Sequence, residues 1–306
     1  LLEGYDFESL VDFGTELFEG KVGHNPIVAW VNRKSHTDLA MTGIRLVDYC
    51  YSRRDEKETE FFNKKNRNYS KPSDFPKIPG TPMAYWASDK VCSLFCNKKV
   101  SDFAEPRHGM STGNNELCLK LWFEVEYVKI CFSASSLHEF DSTHCRFAPY
   151  KKGGSYRLWY GNNDYVIAYD ANARKIMEKL PGYRSSSTNF FFKPSINWSD
   201  VSASYFGVRI SPKGFAFDGR GASMFCEEVL QWYLTALLTT KYTSFILKIL
   251  NPTLTFNIEN IAAIPVIVDL NRKESIDSIA KQCIDDARCD WDSYETSWDF
   301  KRNPLV

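Results

Sequence analysis

The sequence lacks the features that would place it in a membrane or among secreted disulfide-bonded proteins. Its 306 residues contain no apolar run of the length, about 18 residues, that a membrane-spanning helix needs, and no charged-then-apolar signal region opens the chain. The nine cysteines include no C-x-x-C pair, so we interpret them as reduced residues, many of them in the core. We therefore expect a cytoplasmic protein with no membrane partner.

Charge of one sign is also lacking. Lys plus Arg and Asp plus Glu both number 38, so the formal net charge is zero and any binding to nucleic acid must come from a local patch. The hydrophobic content of 43% is enough for a large core, and the length suits more than one domain.

Motifs for methyl transfer, hydrolysis or metal binding are absent or incomplete. The Asn-Pro pairs at 25–26, 251–252 and 303–304 all lack the second proline and the aromatic ring that would hold a flipped adenine. No Gly-x-Ser-x-Gly elbow occurs, and the His and Cys residues at 138–145 lack zinc-ligand spacing. The stretch FDGRGASMF, 217–225, resembles a nucleotide-binding turn, but no acidic residue follows it at the end of a second strand. We interpret it as a strand that ends in a tight turn.

Hydrophobic periodicity predicts the secondary structure in outline. The run IVAWV at 27–31 predicts a strand, the charged and Pro-containing stretch 51–80 a helix flanked by a linker, and the partial alternation at 117–132 antiparallel strands. The stretch GVRISPKGFAFDGRG predicts a hairpin that turns at Pro212–Gly214. Apolar residues at helical spacing predict one helix over 227–250, which Pro252 ends.

Two polar segments have the composition of a recognition surface. Residues 150–165, YKKGGSYRLWYGNNDY, hold three cations, five aromatic rings and three glycines, and residues 107–115 read RHGMSTGNN. Glycine lets a backbone come close to a ligand, cations and hydroxyls contact phosphates, and Arg and Asn read base edges. Two solvated loops would have the same composition, so the chemistry of the residues alone leaves both interpretations open.

At these segments the sequence resembles a known family. PRHGMSTGNNELCLKLWFEV, RFAPYKKGGSYRLWYGNNDYVIAYD and SPKGFAFDGRGASMF, in this order, resemble the C-terminal recognition half of the PglX-type adenine-specific DNA methyltransferases of BREX phage-exclusion systems. Upstream, LLEGYDFESLVDFGTELFEG and IVAWVNRK resemble the end of the catalytic domain of such enzymes. Several long motifs in fixed order are more specific than one short pattern.

The resemblance implies an α+β, mixed-sheet target-recognition domain preceded by the last strands of an α/β, Rossmann-like methyltransferase domain. The expected parts are a catalytic-domain remnant at 1–50, a linker at 51–84, the recognition domain at 85–290 and the start of a C-terminal helical region at 291–306. The full-length enzyme would use S-adenosylmethionine. Its cofactor and catalytic motifs would precede residue 1, so this fragment is expected to be inactive alone and to bind no cofactor.

The expected partner is double-stranded DNA, with other phage-defence proteins or phage inhibitors as further candidates. Lys151, Lys152 and Arg157 are expected to neutralise phosphates, and Arg107, Asn115, Asn162 and Asn163 to read bases. Trp159 and Tyr160 are candidates for base stacking, although rings beside a strand more often belong to the core. The complete set of expected DNA-binding residues is Arg107, His108, Ser111, Thr112, Asn114, Asn115, Lys151, Lys152, Gly153, Gly154, Tyr156, Arg157, Trp159, Tyr160, Asn162 and Asn163.

Two other classes of function stay open. An aromatic-rich surface with balanced charge also suits a carbohydrate-binding module, in which rings stack on sugars. A protein-interaction module is the other alternative. Salt-sensitive binding to DNA distinguishes the methyltransferase interpretation from both.

Overall fold

The computed structural model describes residues 4–18, 25–33, 39–202 and 205–303. It has a mixed α/β architecture with several separate sheets, divided into two compact units, Leu1–Asn97 and Lys98–Val306. No helix in the described ranges is both long and apolar enough to cross a membrane. The domain limits expected from the sequence stay predictions.

The first unit is built on one sheet. Its strands and helices are β1 (Tyr5–Asp12), β2 (Ile27–Arg33), β3 (Met41–Arg45), α1 (Lys57–Phe61), β4 (Arg67–Ser70) and α2 (Asp89–Leu94), with 3-10 turns at 51–56, 64–66 and 72–77.

The sheet of the first unit has the order β2-β1-β3-β4, in which β1 and β3 are parallel and the other pairs antiparallel. The predicted strand at 27–31 is confirmed as β2. Phe7 and Leu10 of β1 pack with Phe75 and Tyr85 on one face of the sheet. In the stretch 51–80, where a helix was expected, only the short α1 is α-helical, and β4 extends the sheet.

The second unit contains the remaining elements. They are β5 (Ala104–Arg107), β6 (Ser111–Thr112), α3 (Asn115–Cys118), β7 (Leu119–Leu121), α4 (Leu137–Ser142), β8 (Phe147–Lys151), β9 (Tyr165–Ala168), α5 (Ala171–Met177), β10 (Tyr183–Arg184), β11 (Ser195–Trp198), β12 (Val208–Ser211), β13 (Ala216–Phe217), β14 (Ser223–Cys226), α6 (Glu228–Leu238), α7 (Lys241–Leu250), α8 (Ile258–Ala262) and α9 (Lys273–Asp292), with 3-10 turns at 100–102, 122–124, 127–129 and 188–190.

Two four-stranded sheets and a two-stranded pair organise the second unit. One sheet has the order β12-β11-β14-β5 and the other β13-β8-β9-β7, while β6 pairs with β10. Every residue of β8, β11 and β12 is buried, because these strands are covered on both faces. The largest apolar cluster lies around β8 and includes Phe140, Tyr150, Phe191, Phe192 and Phe217.

The predicted hairpin at 207–221 is wrong. Its two strands, β12 and β13, lie in different sheets, because the connection between them bonds to another part of the chain. Gly214 N donates to the carbonyl oxygen of Phe192 at 3.1 Å, and Phe192 N donates to that of Phe215 at 2.8 Å. The chain therefore changes sheets at the turn that was expected to close a hairpin.

The strands predicted at 117–132 form only in part. Residues 119–121 make β7, but 3-10 turns follow at 122–124 and 127–129. Trp122 N donates to the carbonyl oxygen of Asp164 at 3.0 Å, and Trp122 Nε1 to that of Thr296 at 2.8 Å. The first bond continues the pairing of β7 with β9 by one residue, the second joins the Trp122 side chain to a distant segment, and the chain then enters the turn at 122–124.

The single helix predicted over 227–250 is two helices, α6 and α7. The break lies at Thr239 and Thr240, where the Oγ1 atom of Thr240 accepts a hydrogen bond from the backbone of Thr243 at 3.3 Å and caps the second helix. The capping residue has an extended backbone, so α6 cannot continue through it. The helix does end before Pro252, as the sequence indicated.

Replacing Thr240 with alanine is expected to lower the free energy of unfolding by about 1 kcal/mol, because the N-terminus of α7 loses its side-chain acceptor. Urea unfolding monitored by circular dichroism measures the change. Thr240→Ser, which keeps the hydroxyl, is the matched control and should stay close to the wild type. Equal stability of the alanine variant and the wild type would show that the cap contributes nothing.

Candidate nucleic-acid interface

The loop at 152–164 connects two neighbouring antiparallel strands, β8 and β9. Its backbone has positive φ at Gly153, Gly154 and Gly161, where the lack of a side chain permits this conformation. Asn162 and Trp159 also have positive φ. This conformation is uncommon for a bulky residue such as Trp159, so contacts with the surrounding residues must stabilise it. The loop therefore has one specific backbone conformation that contacts with other segments stabilise.

Lys151, at the end of β8, is buried and holds the returning arm of this loop. Its Nζ atom donates to the carbonyl oxygen of Gly161 at 3.0 Å and to Oδ1 of Asn163, which is also buried. Burial lowers the pKa of the Lys151 amine well below its ordinary value, the charge of Arg209 acts in the same direction, and that of Asp164 opposes it. The ammonium of Lys151 thus faces the interior and not a DNA backbone.

Arg209, on β12, is a second buried cation and holds the outgoing arm of the loop. Its Nη2 atom donates to Oγ of Ser199 at 3.3 Å, and that hydroxyl donates to the carbonyl oxygen of Gly154 at 2.9 Å. Burial, together with the charge of Arg157, lowers the pKa of Arg209 to about 10. Within the described part of the chain, the buried Nε atom of Arg209 has no hydrogen-bond partner.

Three glycine-rich segments meet at the start of the loop. Met110 N donates to the carbonyl oxygen of Phe217 and Gly219 N to that of Met110, both at 3.1 Å. Asp218 N donates to the carbonyl oxygen of Lys151 at 2.8 Å. Segment 218–221 is therefore hydrogen-bonded both to 107–111 and to 151–154, although more than a hundred residues separate it from the first of them.

At this meeting point two glycines are required, because the neighbouring backbone leaves no space for a Cβ atom. A Cβ atom on Gly109 would lie 2.0 Å from the carbonyl oxygen of Phe217, and one on Gly221 would lie 2.4 Å from that of Lys151. Both neighbours are backbone atoms, which cannot turn aside as a side chain can. The glycines of both segments therefore allow backbones to pass close together.

The segments that meet carry exposed or half-buried basic side chains, among them His108, Lys152 and Arg220, and Arg157 lies further along the loop against α9. His108 Nδ1 lies 3.1 Å from the carbonyl oxygen of Gly219 and is assigned a hydrogen bond there. The Arg157 guanidinium lies 4.7 Å from the ring centre of Trp291. Arg220 has 73% of its side chain accessible.

These cations have weak local partners. Arg220 Nη1 lies 3.5 Å from a carboxylate oxygen of Asp200, and Arg157 Nη1 lies 3.3 Å from one of Asp290. Each pair has at least one well-exposed member, Arg220 in the first and Asp290 in the second, and ion pairs that solvent reaches contribute little to stability. The surface can therefore present positive charge to a polyanion even though the net charge of the chain is zero.

The segment 107–115 continues this surface. Arg107 is exposed, lies 2.5 Å from a carboxylate oxygen of Glu105 and is 5.0 Å from the ring centre of Phe190. Asn114 Oδ1 caps α3 by accepting from Leu117 N at 3.1 Å. The exposed Asn115 accepts from Oγ1 of the buried Thr112 at 2.7 Å, which leaves its amide nitrogen available for a further contact.

The expected DNA-binding residues thus fall into three groups. The exposed ones are Arg107, His108, Ser111, Asn114, Asn115, Gly154 and Tyr156. The partly buried ones are Lys152, Gly153, Arg157 and Trp159. The buried ones are Thr112, Lys151, Tyr160, Asn162 and Asn163, and Asn162 uses its amide to hold the carbonyl oxygen of Ser155 at 2.8 Å. The structure brings 107–111 and 151–154 together.

Sequence reasoning missed three residues of this site. Arg220 lies in FDGRG, a stretch interpreted only as a turn, although a cation between two glycines has the same composition as the loops that were selected. Arg209 and Ser199 lie in buried strand regions, and no sequence signal distinguishes them from other strand residues. Their role depends on contacts with the loop.

The turn at 218–221, which resembles a nucleotide-binding turn in sequence, does not have the geometry of one. The turn 218–221 leads into β14 and not into a helix, and the space beside Gly221 is filled by the backbone of Lys151 and Gly153. A phosphate therefore has no cradle there. In the ranges that the structure describes, no three His, Cys, Asp or Glu side chains are placed to hold a metal ion.

Comparisons with known proteins find relatives along the whole chain. No family model matches the sequence. The chain is 35% identical to the adenine-specific methyltransferase PglX of Lacticaseibacillus casei (strain Zhang), over 97% of this chain and 26% of that protein. It is 28% identical to the adenine-specific methyltransferase BrxX of Escherichia coli O9:H4 (strain HS), over 100% of this chain and 25% of that protein. The chain thus spans about a quarter of the length of these curated relatives.

A solved structure with some likeness is that of the type IIG restriction endonuclease BpuSI. It is 10% identical in sequence and covers 92% of this chain and 39% of its own, with a TM-score of 0.36, which is too low to establish a shared fold. The sequence relatives are the informative comparison. Over almost its whole length, this chain is homologous to a segment of the PglX-type adenine-specific methyltransferases, as its motifs indicated.

Proposed function

We propose that this chain is the DNA-recognition part of a site-specific adenine-N6 DNA methyltransferase of a phage-defence system. The observation that carries the proposal is the meeting of three glycine-containing segments, with basic side chains that are exposed or partly exposed, in a chain that aligns throughout with adenine-specific methyltransferases. Glycine-rich backbone and cations at one place suit the close approach of a phosphate chain.

The placement of the side chains supports a division of work. Lys152 and Arg220, which lie in the segments that meet, and Arg157, further along the loop, contact phosphates, because all three keep part of their surface accessible to solvent. Arg107 and Asn115 read base edges, since guanidinium and amide groups match guanine and adenine in the major groove. The buried residues Lys151, Asn162 and Asn163 hold the loop through hydrogen bonds and do not contact DNA.

The rest of the proposed enzyme supplies the methyl-transfer chemistry. S-adenosylmethionine would bind to the part of the full-length protein that lies outside this chain, and the fragment alone would be inactive. Strand β2 supports the proposal that residues 1–50 are the last strands of a Rossmann-like domain. It lies at the edge of its sheet with Ile27 56% and Trp30 50% exposed, and an apolar edge of this kind normally pairs with a further strand.

A triple variant, Lys152→Ala with Arg157→Ala and Arg220→Ala, is expected to flatten the salt dependence of DNA binding. Removing one cation that neutralises a phosphate should reduce the slope of log K against log salt concentration by about 0.9, so the triple variant should lose about 2 to 3. Affinity should fall for all sequences alike, because phosphates carry no sequence information. Fluorescence anisotropy with labelled duplexes at several salt concentrations measures both quantities.

The matched control is Lys248→Ala, which removes an exposed lysine from α7 and should leave the slope unchanged. An unchanged slope in the triple variant would contradict the phosphate assignment. Wild-type protein that binds oligosaccharides or a protein partner, and shows no salt-sensitive affinity for DNA, would replace the proposed function by one of the two alternative classes.

A further inference from the structure

Two buried basic side chains lie beneath the 152–164 loop and form no ion pair with any described residue. These are Lys151 and Arg209, each only 2% exposed. Burying a charge costs several kcal/mol unless other groups replace its hydration. The groups that replace the lost hydration of Lys151 and Arg209 therefore matter for the stability of this region.

The replacement comes largely from the loop itself. Lys151 is satisfied by the carbonyl oxygen of Gly161 and the amide oxygen of Asn163. Arg209 reaches the carbonyl oxygen of Gly154 through Ser199. Lys151 and Arg209 thus hold the two arms of the loop. If either arm moved away, the buried side chain that holds it would lose its hydrogen-bond acceptors.

The backbone of β12 adds a third hold in the middle of the loop. Trp159 N donates to the carbonyl oxygen of Val208 at 2.8 Å, and Ile210 N donates to that of Trp159 at 2.9 Å. Arg209 lies between Val208 and Ile210. Its side chain therefore holds the loop near Gly154, and the backbone of its strand holds the loop at Trp159. The result is a loop that is fixed before any ligand arrives.

We propose that Lys151 and Arg209 are positioning residues, which hold the 152–164 loop in the shape that recognises DNA and do not contact DNA themselves. The inference rests on the proposed function. It adds to the base contacts of Arg107 and Asn115 a contribution from the pre-formed shape of the loop, which fits some duplex shapes better than others, and it separates the buried Lys151 from its partly exposed neighbour Lys152. A pre-organised loop loses less conformational entropy on binding, and selectively favours the duplex that fits it.

The test compares Lys151→Met with Lys152→Met in the full-length protein. Methionine keeps the length of each side chain and removes its charge and hydrogen bonds. Methylation sequencing identifies the target site, and dissociation constants are then measured for a duplex with this site and for one with a scrambled site, at several salt concentrations. The two outputs are the ratio of the two affinities and the salt slope.

Lys151→Met is expected to reduce the ratio of affinities about tenfold, because the loosened loop no longer fits one duplex shape. The salt slope should stay unchanged, because Lys152 and Arg157 on a loosened loop can still reach phosphates. Lys152→Met should leave the ratio unchanged and lower the slope by about 0.9. Loss of folded protein lowers both affinities together and does not change their ratio, so a general structural defect is distinguishable from a positioning role.

Ser199→Ala is the second variant, because it removes one oxygen that links Arg209 to Gly154 and is expected to fold even where Lys151→Met does not. It should also reduce the ratio, by about threefold, with no change of slope. A lower slope in Lys151→Met would overturn the inference in favour of direct phosphate contact. An unchanged ratio in Ser199→Ala together with an unchanged ratio in Lys151→Met would also overturn it. Wild-type protein without DNA affinity would instead contradict the proposed function.

Discussion

Replacing Gly109 with alanine is expected to lower the free energy of unfolding by about 3 kcal/mol and to abolish specific DNA binding. The added Cβ atom would lie 2.0 Å from the carbonyl oxygen of Phe217 and 2.4 Å from its carbonyl carbon. Both atoms belong to a backbone that is already hydrogen-bonded to Met110, so the two segments must move apart. That movement would separate 107–111 from 218–221 and dismantle the proposed surface.

Gly219→Ala provides the matched control in the facing segment, 218–221. Its Cβ atom would meet only the carbonyl oxygen of Gly109, at an ordinary contact distance of 3.8 Å, so the variant should stay close to wild-type stability. Chemical unfolding gives the free energies, and anisotropy with a labelled duplex gives the binding. Equal stability of the Gly109 and Gly219 variants would show that the two segments do not pack tightly against each other.

Replacing Trp198 with alanine is expected to lower the free energy of unfolding by about 3 to 5 kcal/mol. The ring is completely buried and packs edge-on against Phe206, and its Nε1 atom donates to the carbonyl oxygen of Phe256 at 2.8 Å. The alanine variant would leave a cavity and a carbonyl oxygen without its donor, and the two losses act in the same direction.

Trp198→Phe separates these two losses, because it fills most of the cavity and still lacks the donor. We expect it to lie between the alanine variant and the wild type, with a loss of about 1 to 3 kcal/mol. Urea unfolding of the three proteins measures the series. A phenylalanine variant as unstable as the alanine variant would place the whole effect in the hydrogen bond and contradict the packing argument.

Sequence patterns predicted structure well where the cause is local. The run IVAWV forms β2, and α7 ends before Pro252, because β-branched and aromatic residues favour strands and proline cannot continue a helix. The patterns did not predict which strands pair with each other. Strands β12 and β13 lie on either side of a convincing turn, yet they join different sheets through the contacts of Phe192 with Gly214 and Phe215.

The candidate site divides in the same way. Composition selected the segments 107–115 and 150–165, since glycines, cations and amides are visible in the sequence. It did not distinguish Lys151 from Lys152, which are identical in type and adjacent. Lys151 ends a strand that is buried on both faces, whereas Lys152 is the first residue beyond it.

The sequence by itself determined the relationship to the PglX-type methyltransferases and the segments from which the proposed surface is built, because motif order and residue type are properties of the chain alone. Only the tertiary structure decided which cations face solvent and that Arg220 joins them. Exposure depends on contacts between distant segments, such as the bond between His108 and Gly219, and no local pattern records such a contact.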